Sequence, residues 1–197
     1  MSERRPVVVV VVLAAGAGTR FTGPGHKLDA DLDGRSVLAR ALDHATAAAI
    51  GPVVVVVPAT GAHPLPAGVT EVVNPRWADG QASSLWAGID AAAGLGADAV
   101  VVGLGDQPGI EPGAWRAVAL TDAPIAIATY AGDHGHPVRL RADVWRRLPR
   151  SGDAGARPLV RGHPELVKAV PCGGSPSDID TQEDLRRWQS NSSTSSP

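Results

Sequence analysis

The sequence predicts a three-layer α/β fold: a mostly parallel sheet with helices on both faces. Three observations carry this. Val7–Leu13, Val53–Val57 and Ala97–Leu104 are continuous apolar runs, as strands buried on both faces are. Helical patterns separate them, so strand and helix alternate through the first two-thirds of the chain. The first run empties into a glycine-rich turn followed by basic residues, Gly16–Lys27, and ligands of such sheets sit beyond the carboxyl ends of the strands.

Composition sets bounds on function. A chain of 197 residues suits one domain with a sizeable core. Hydrophobic residues are 44% but aromatics only 4%, so Val, Ala and Leu must build that core. A net charge of −2 lacks the basic excess of duplex-binding proteins, and no nucleic-acid partner is expected. The single cysteine, Cys172, permits no internal disulfide and suggests a reducing, cytoplasmic setting. No apolar run is long enough to span a membrane, so no membrane partner is expected. Arg4-Arg5, Val7–Ala15 and the small residues after them imitate a signal peptide. A first strand is the preferred reading, because the supposed cleavage region is itself a usable phosphate turn.

Element by element, Val7–Leu13 is the first strand and Gly16–Gly25 a loop. Ser36–Ile50 carries Val37, Leu38, Ala41, Leu42, Ala45 and Ala49 near helical spacing, and Gly51-Pro52 closes it. Val53–Val57 is a strand, Ala59–Ala67 a Pro- and Gly-rich loop, and Val69–Val73 a short strand. After a turn at Asn74–Gly80, Gln81–Ala93 is a helix. Ala97–Leu104 is a strand stopped by Gly105-Asp106. Glu111–Leu120 is a helix with Pro112 in its first turn, and Ile125–Tyr130 a strand. Glycines and histidines then cluster in Gly132–Pro137, with short elements at Val138–Leu140, Ala142–Leu148 and Leu166–Val170. Thr181–Gln189 is the last helix, capped by Thr181 with Asp184 three residues on. Ser190–Pro197 is polar and expected to be disordered.

The first loop, Gly16-Ala17-Gly18-Thr19-Arg20, lets backbone N–H groups approach an anion. It is not a dinucleotide fingerprint: the third glycine would fall at Phe21, and the second strand ends at Pro58 with no acid for a ribose. Nor is it a Walker A loop, since Leu28 follows Lys27 where Ser or Thr would stand. A tight turn with two solvated basic residues is the bland alternative. Asp106 follows a buried strand, where a hard cation for phosphate chemistry would be held; its bland role is a turn before Pro108. Asp178 and Asp180 stand at a helix start, where capping competes with metal binding. His134 and His136 read as loop or substrate-binding residues rather than a zinc pair. Cys172 lacks a base. Trp77 is a candidate site residue, Trp86 a packing one. Ser83 and Ser84 lack a nucleophile-elbow context.

These stretches resemble the molybdenum-cofactor cytidylyltransferase group of nucleotidyltransferases, relatives of the molybdopterin-guanine dinucleotide synthases. The matching segments are Leu13-Ala14-Ala15-Gly16-x-Gly18-x-Arg20-Phe21 with Lys27; Asn74-Pro75-x-Trp77-x-x-Gly80-x-x-x-Ser84-Leu85-x-x-Gly88; Leu104–Pro108; Gly135-His136-Pro137; Gly152-Asp153-x-Gly155-Ala156-Arg157; and Asp178-Ile179-Asp180-Thr181-x-x-Asp184-Leu185. They run in order across nearly the whole chain. One departure stands out: Arg20 and Lys27 are about two residues further apart than the family pattern has them.

The resemblance implies a Rossmann-like fold of the nucleotide-diphospho-sugar transferase type in a single domain, residues 1–189. Residues to about 130 would hold the nucleotide, and those from 131 the acceptor. It implies Mg²⁺-dependent transfer of CMP from CTP to a phosphorylated pterin-type acceptor, with pyrophosphate released and a molybdoenzyme or its chaperone downstream. Arg20, Lys27 and Asp106 would be catalytic. Leu13, Ala14, Ala15, Gly16, Gly18, Ala59, Thr60, Asn74, Gly80 and Ser84 would bind nucleotide. Gln107, Pro108, Gly135, His136, Pro137, Asp153 and Arg157 would face the acceptor, and Asp106 and Asp180 would hold the metal. Three rivals follow: guanylyl or other nucleotidyl transfer to a small phosphorylated metabolite, a non-catalytic molybdenum-cofactor carrier or insertion chaperone, and an oxidoreductase. The missing dinucleotide fingerprint argues against the last.

Overall fold

The computed structural model describes residues 4–22, 24–61 and 63–193. Its elements in chain order are β1 (Val8–Leu13), β2 (Asp31–Leu32), β3 (Arg35–Ser36), α1 (Val37–Ala47), β4 (Val53–Pro58), β5 (Val69–Asn74), α2 (Gln81–Gly94), β6 (Ala99–Leu104), α3 (Pro112–Leu120), β7 (Ile125–Tyr130), β8 (Asp133–Arg141), α4 (Arg157–Gly162), β9 (Val167–Pro171) and α5 (Gln182–Ser193). Among the described residues, seven strands form one sheet in the order β5-β4-β1-β6-β8-β7-β9, while β2 and β3 pair as a small hairpin. Of the seven, β8 alone runs antiparallel to its sheet neighbours. The mostly parallel three-layer architecture predicted from the alternating elements is the one observed.

The strand cores follow from period-two alternation. Val10, Val12, Val53, Val55, Val57 and Val101 face a core that also takes Leu38, Leu42, Trp115 and Val118 from α1 and α3. Val9, Val11, Val54, Val56, Val100 and Val102 face the opposite layer, with Leu85 and Ile89 of α2. Continuous valine runs are therefore required, because both faces of each strand are covered. The helix boundaries have local causes as well. Ser36 Oγ accepts from Ala39 N at 3.1 Å and starts α1. Thr181 Oγ1 accepts from Asp184 N at 3.2 Å while Thr181 N donates to Asp184 Oδ2 at 2.9 Å, so the carboxylate capping box starts α5.

Three boundaries differ from the sequence expectation. Asp133–Pro137 forms the first half of β8 and pairs with β7. The reason is a two-residue hairpin turn: Ala131 and Gly132 both take positive φ, 51° and 97°. Arg157–Gly162 is a short helix that the sequence pattern does not announce. The last helix continues through Ser193, beyond the expected start of a disordered tail at Ser190; residues 194–197 lie outside the described residues.

This topology fixes where a ligand can go. β1 is flanked by β4 on one side and β6 on the other. The chain builds outward from β1 to β5, then returns across it, so strand order reverses at β1. The carboxyl ends of β1 and β6 therefore border a topological switch-point crevice.

Candidate active site

Leu13 and Leu104 end β1 and β6 side by side, and Gly105 N donates to Leu13 O at 2.9 Å. The two chemistry-bearing loops, Gly16–Lys27 and Gly105–Pro108, leave the sheet from this joint. In the first, Gly18 takes φ +60°, and a Cβ there would lie 3.0 Å from His26 Nε2. His26 Nδ1 accepts from Leu28 N at 3.3 Å, capping a one-turn 3-10 helix over Lys27–Asp29. The extra residues after Arg20 thus end in a capped turn that directs Lys27 inward.

Lys27 Nζ donates to Asp106 Oδ2 at 2.6 Å and to Asp180 Oδ1 at 2.7 Å. Arg20 Nη2 lies 2.8 Å from Asp180 Oδ2. Residues far apart in sequence so form one cation–carboxylate cluster. Burial pulls the Lys27 pKa down, but the charges and hydrogen bonds of Asp106 and Asp180 outweigh it, and the net displacement is upward. The pair Asp178/Asp180 divides its work. Ile179 between them is buried in the core, and its N–H donates to Asp106 O at 2.9 Å. Asp180 joins the lysine, whereas Asp178 accepts from Gln107 Nε2 at 2.7 Å. Burial, then the charge of Asp106, raises the pKa of Asp178; the Gln107 hydrogen bond opposes this.

Two cavities adjoin here: Asp106 lines the smaller, and Gln107 and Asp178 line the larger, while Arg20, Lys27 and Asp180 line neither. One of about 320 Å³ is bounded by Leu13, Ala15, Gly16, Trp77, Gly80, Ser84, Asp106 and Asp153. A second of about 440 Å³ is lined by Gln107, His134, Gly135, His136, Arg157 and Asp178 over an apolar wall that includes Leu85, Val102 and Ile127. Leu13, Gln81 and Leu104 line both, so they share a wall. Burial holds His136 largely neutral, with its pKa pushed down to about 4 despite the opposing charge of Asp106. Tyr130 Oη donates to His136 O at 2.7 Å and fixes the rim of the second cavity.

Most site residues expected from sequence converge here, with exceptions. Asn74 does not face either cavity: it is buried, and its Nδ2 donates to Ser83 Oγ at 2.9 Å and Ser84 Oγ at 3.0 Å. Those bonds tie it to the first turn of α2. Ala59 and Thr60 are exposed on the loop after β4 and line neither cavity. Ala14, Pro108 and Pro137 are buried behind the walls. Asp153, expected at the acceptor, lines the smaller cavity, and its Oδ1 accepts from Gln81 N at 3.4 Å. Gly80 is required by contact: its φ is +99°, and a Cβ would lie 2.6 Å from the carbonyl carbon of Gly152.

Other residues settle as packing. The Trp86 indole donates to Pro149 O at 2.9 Å. Cys172 Sγ donates to Val170 O at 3.3 Å, and burial raises its pKa, which disfavours the thiolate. Gln81, Arg161 and Pro176 line the cavities without any motif to announce them; Leu85, present in a motif but given no role there, is put at a wall by the fold.

A family model described as the MobA-like NTP transferase domain matches residues 10–168. The nicotine blue oxidoreductase of Paenarthrobacter nicotinovorans is 33% identical over 92% of this chain and 96% of its own length. The crystal structure of Rv0371c from Mycobacterium tuberculosis superposes with a TM-score of 0.78 at 28% identity, covering 94% of this chain and 98% of that one; it has also been solved in complex with manganese. A nucleotidyl transferase from Methanothermobacter shares the fold, with a TM-score of 0.80 at 23% identity over 96% of this chain and 99% of its own. Together with the glycine loop and the lysine–carboxylate cluster at the switch point, these likenesses show that the chain belongs to the MobA-like NTP transferase family of nucleotidyltransferases.

Proposed function

We propose that the protein transfers CMP from CTP to a phosphorylated acceptor of the molybdopterin type, with Mg²⁺ as cofactor. The observation that carries this reading is the Lys27–Asp106–Asp180–Arg20 cluster, whose Asp106 lines the smaller of two adjoining cavities. The smaller, beside the glycine loop, suits the nucleotide. The larger, mostly contributed by residues after 130, has an apolar wall with Arg157, Gln107 and the neutral His136 on it. That combination suits a flat heterocycle carrying a phosphate.

The residues fit a hard divalent ion. Asp106 Oδ1 is buried with no hydrogen-bond partner among the described residues, which leaves one oxygen for a metal, and Asp180 supplies the second carboxylate. Manganese in the M. tuberculosis relative supports a divalent ion in this family. Once bound, Mg²⁺ would supply charge neutralisation for the phosphates. The chain's own part is positioning. Backbone N–H groups of the Gly16–Gly18 loop hold phosphate oxygens. Lys27 and Arg20 offset charge on the leaving pyrophosphate. Arg157 orients the acceptor phosphate, already ionised near neutral pH, so no general base is needed. Its oxygen forms the new bond to the α-phosphorus as the bond to the bridging oxygen breaks.

Pyrophosphate release with each nucleoside triphosphate and a pterin phosphate acceptor tests the reading. Release with CTP, lost in Asp106→Ala with the fold intact by circular dichroism, is the expected result. Inactivity with CTP alongside activity with GTP would move the assignment to guanylyl transfer. Pterin binding without release, indifferent to Asp106→Ala, would make the protein a carrier. Because one relative bears an oxidoreductase name, NADPH binding belongs in the same assay; Phe21 in place of the third glycine supports its absence.

A further inference from the structure

We propose that His26, Asp29 and His63 form a second metal site, which takes a first-row transition ion such as Zn²⁺ or Co²⁺ and clamps the phosphate loop to the loop after β4. One nitrogen of each imidazole and one carboxylate oxygen of Asp29 lie within 4.8 Å of one another. His63 Nδ1 is 2.7 Å from Asp29 Oδ1, and the His63 side chain is only 5% exposed. The ring centroids of His26 and His63 are 5.1 Å apart. A buried imidazole held on a carboxylate and facing a second imidazole is the donor set that borderline ions prefer; Mg²⁺ favours oxygens.

The cluster is separate from the carboxylate pair of the active site. Lys27 turns toward Asp106 and Asp180, whereas His26, one residue earlier, turns toward His63. Metal–ligand bonds of about 2.0–2.2 Å place tetrahedral ligands roughly 3.3 Å apart. Closing the three donors onto one ion therefore opens the 2.7 Å contact of His63 with Asp29 and draws the farther donors in from within 4.8 Å. His26 would give up one of two weak contacts, Nε2 to Gly16 O at 3.1 Å or Nδ1 to Leu28 N at 3.3 Å. His26 lies in the stretch that is longer than the family pattern. The ion would hold that stretch, the Lys27–Asp29 turn and the loop after β4 as one body, leaving a coordination position for water.

The test uses the full chain, stripped by chelator and kept in millimolar Mg²⁺ so that oxygen-only sites are filled. Co²⁺ is titrated in the absence of nucleotide, with visible d–d absorption and calorimetry as readouts. One Co²⁺ per chain, with a band of four- or five-coordinate cobalt and a rise in Tm, is expected. His63→Gln and His26→Gln should each weaken binding at least tenfold with the far-ultraviolet circular dichroism unchanged. If His63→Gln does not fold, His26→Gln on the half-buried loop decides alone. No Co²⁺ band in the wild type, or equal affinity after replacement of His26, overturns the site. Since no nucleotide or turnover enters, a failed transferase assay leaves this result standing, and the reverse holds too.

Discussion

Replacing Lys27 by Met should destabilise the metal-free protein sharply. Met keeps the apolar stem but removes the ammonium that sits 2.6 Å from Asp106 and 2.7 Å from Asp180. Removing one partner of a buried ion pair costs about 3–5 kcal/mol, because the other charge is left unpaired. The Lys27 side chain is 9% exposed and each aspartate side chain 19%, and Asp180 keeps Arg20 at 2.8 Å, so chiefly Asp106 is left unpaired and the lower figure applies, about 3 kcal/mol. For a domain of this size each kcal/mol is worth about 2–4 °C, which gives a fall in Tm of about 6–12 °C. Thermal unfolding by circular dichroism in chelator measures it. Repeating the melt with Mg²⁺ should recover more stability in Lys27→Met than in the wild type, since the ion then meets no competing ammonium at the two carboxylates. A Tm within about 2 °C of wild type in chelator would refute the reasoning: the ammonium would then contribute nothing net. The pH sense is fixed as well. With its folded pKa raised, Lys27 gives its full contribution below its ordinary value of 10.5 and loses it as pH rises through the higher folded value.

Two further outcomes follow from the cavity walls. His136 has a folded pKa of about 4 against an ordinary 6.5, so the fold resists its protonation, and stability should drop by about 2–3 kcal/mol as pH falls from 6.5 to 4. His136→Gln should flatten that slope in urea titrations at several pH values, and an unchanged slope would show that the ring is not desolvated. Gly80→Ala forces a side chain into a φ of +99° and within 2.6 Å of Gly152; a loss of about 2–4 kcal/mol in unfolding free energy by urea titration is expected, with nucleotide binding weakened as Asp153 is pushed off the cavity.

Strands and helices that depend on local pattern are legible in the sequence. The valine runs of β1, β4 and β6, the Ser36 and Thr181 caps, and Pro112 at the start of α3 each carry their own signal. β8 does not, because its first half, Asp133–Pro137, is polar, with a glycine and a proline, and becomes strand only by pairing with β7 across the Ala131-Gly132 turn. α4 escapes for the same kind of reason: six residues beginning Arg-Pro carry too little periodicity to stand out. In the site, motif residues such as Gly16, Gly18, Gly80 and Asp106 can be named from sequence, but their partners cannot. Asn74 shows the limit: its place in a motif points to a ligand contact, but only the fold shows that its amide donates to Ser83 and Ser84 of α2.

The amino-acid sequence by itself determined the layered architecture, the glycine turn at the end of β1 and the family, because periodicity, caps and ordered motifs are properties of neighbouring residues. Tertiary structure decided the chemistry of the crevice. Lys27 meets Asp106 79 positions away and Asp180 153 positions away, and no local pattern encodes a contact at that separation. It exists because β1 and β6 pair in register and Ile179, buried in the core, brings Asp180 over their ends. The His26–Asp29–His63 group has the same origin: two histidines on different loops become neighbours only because β1 and β4 lie side by side.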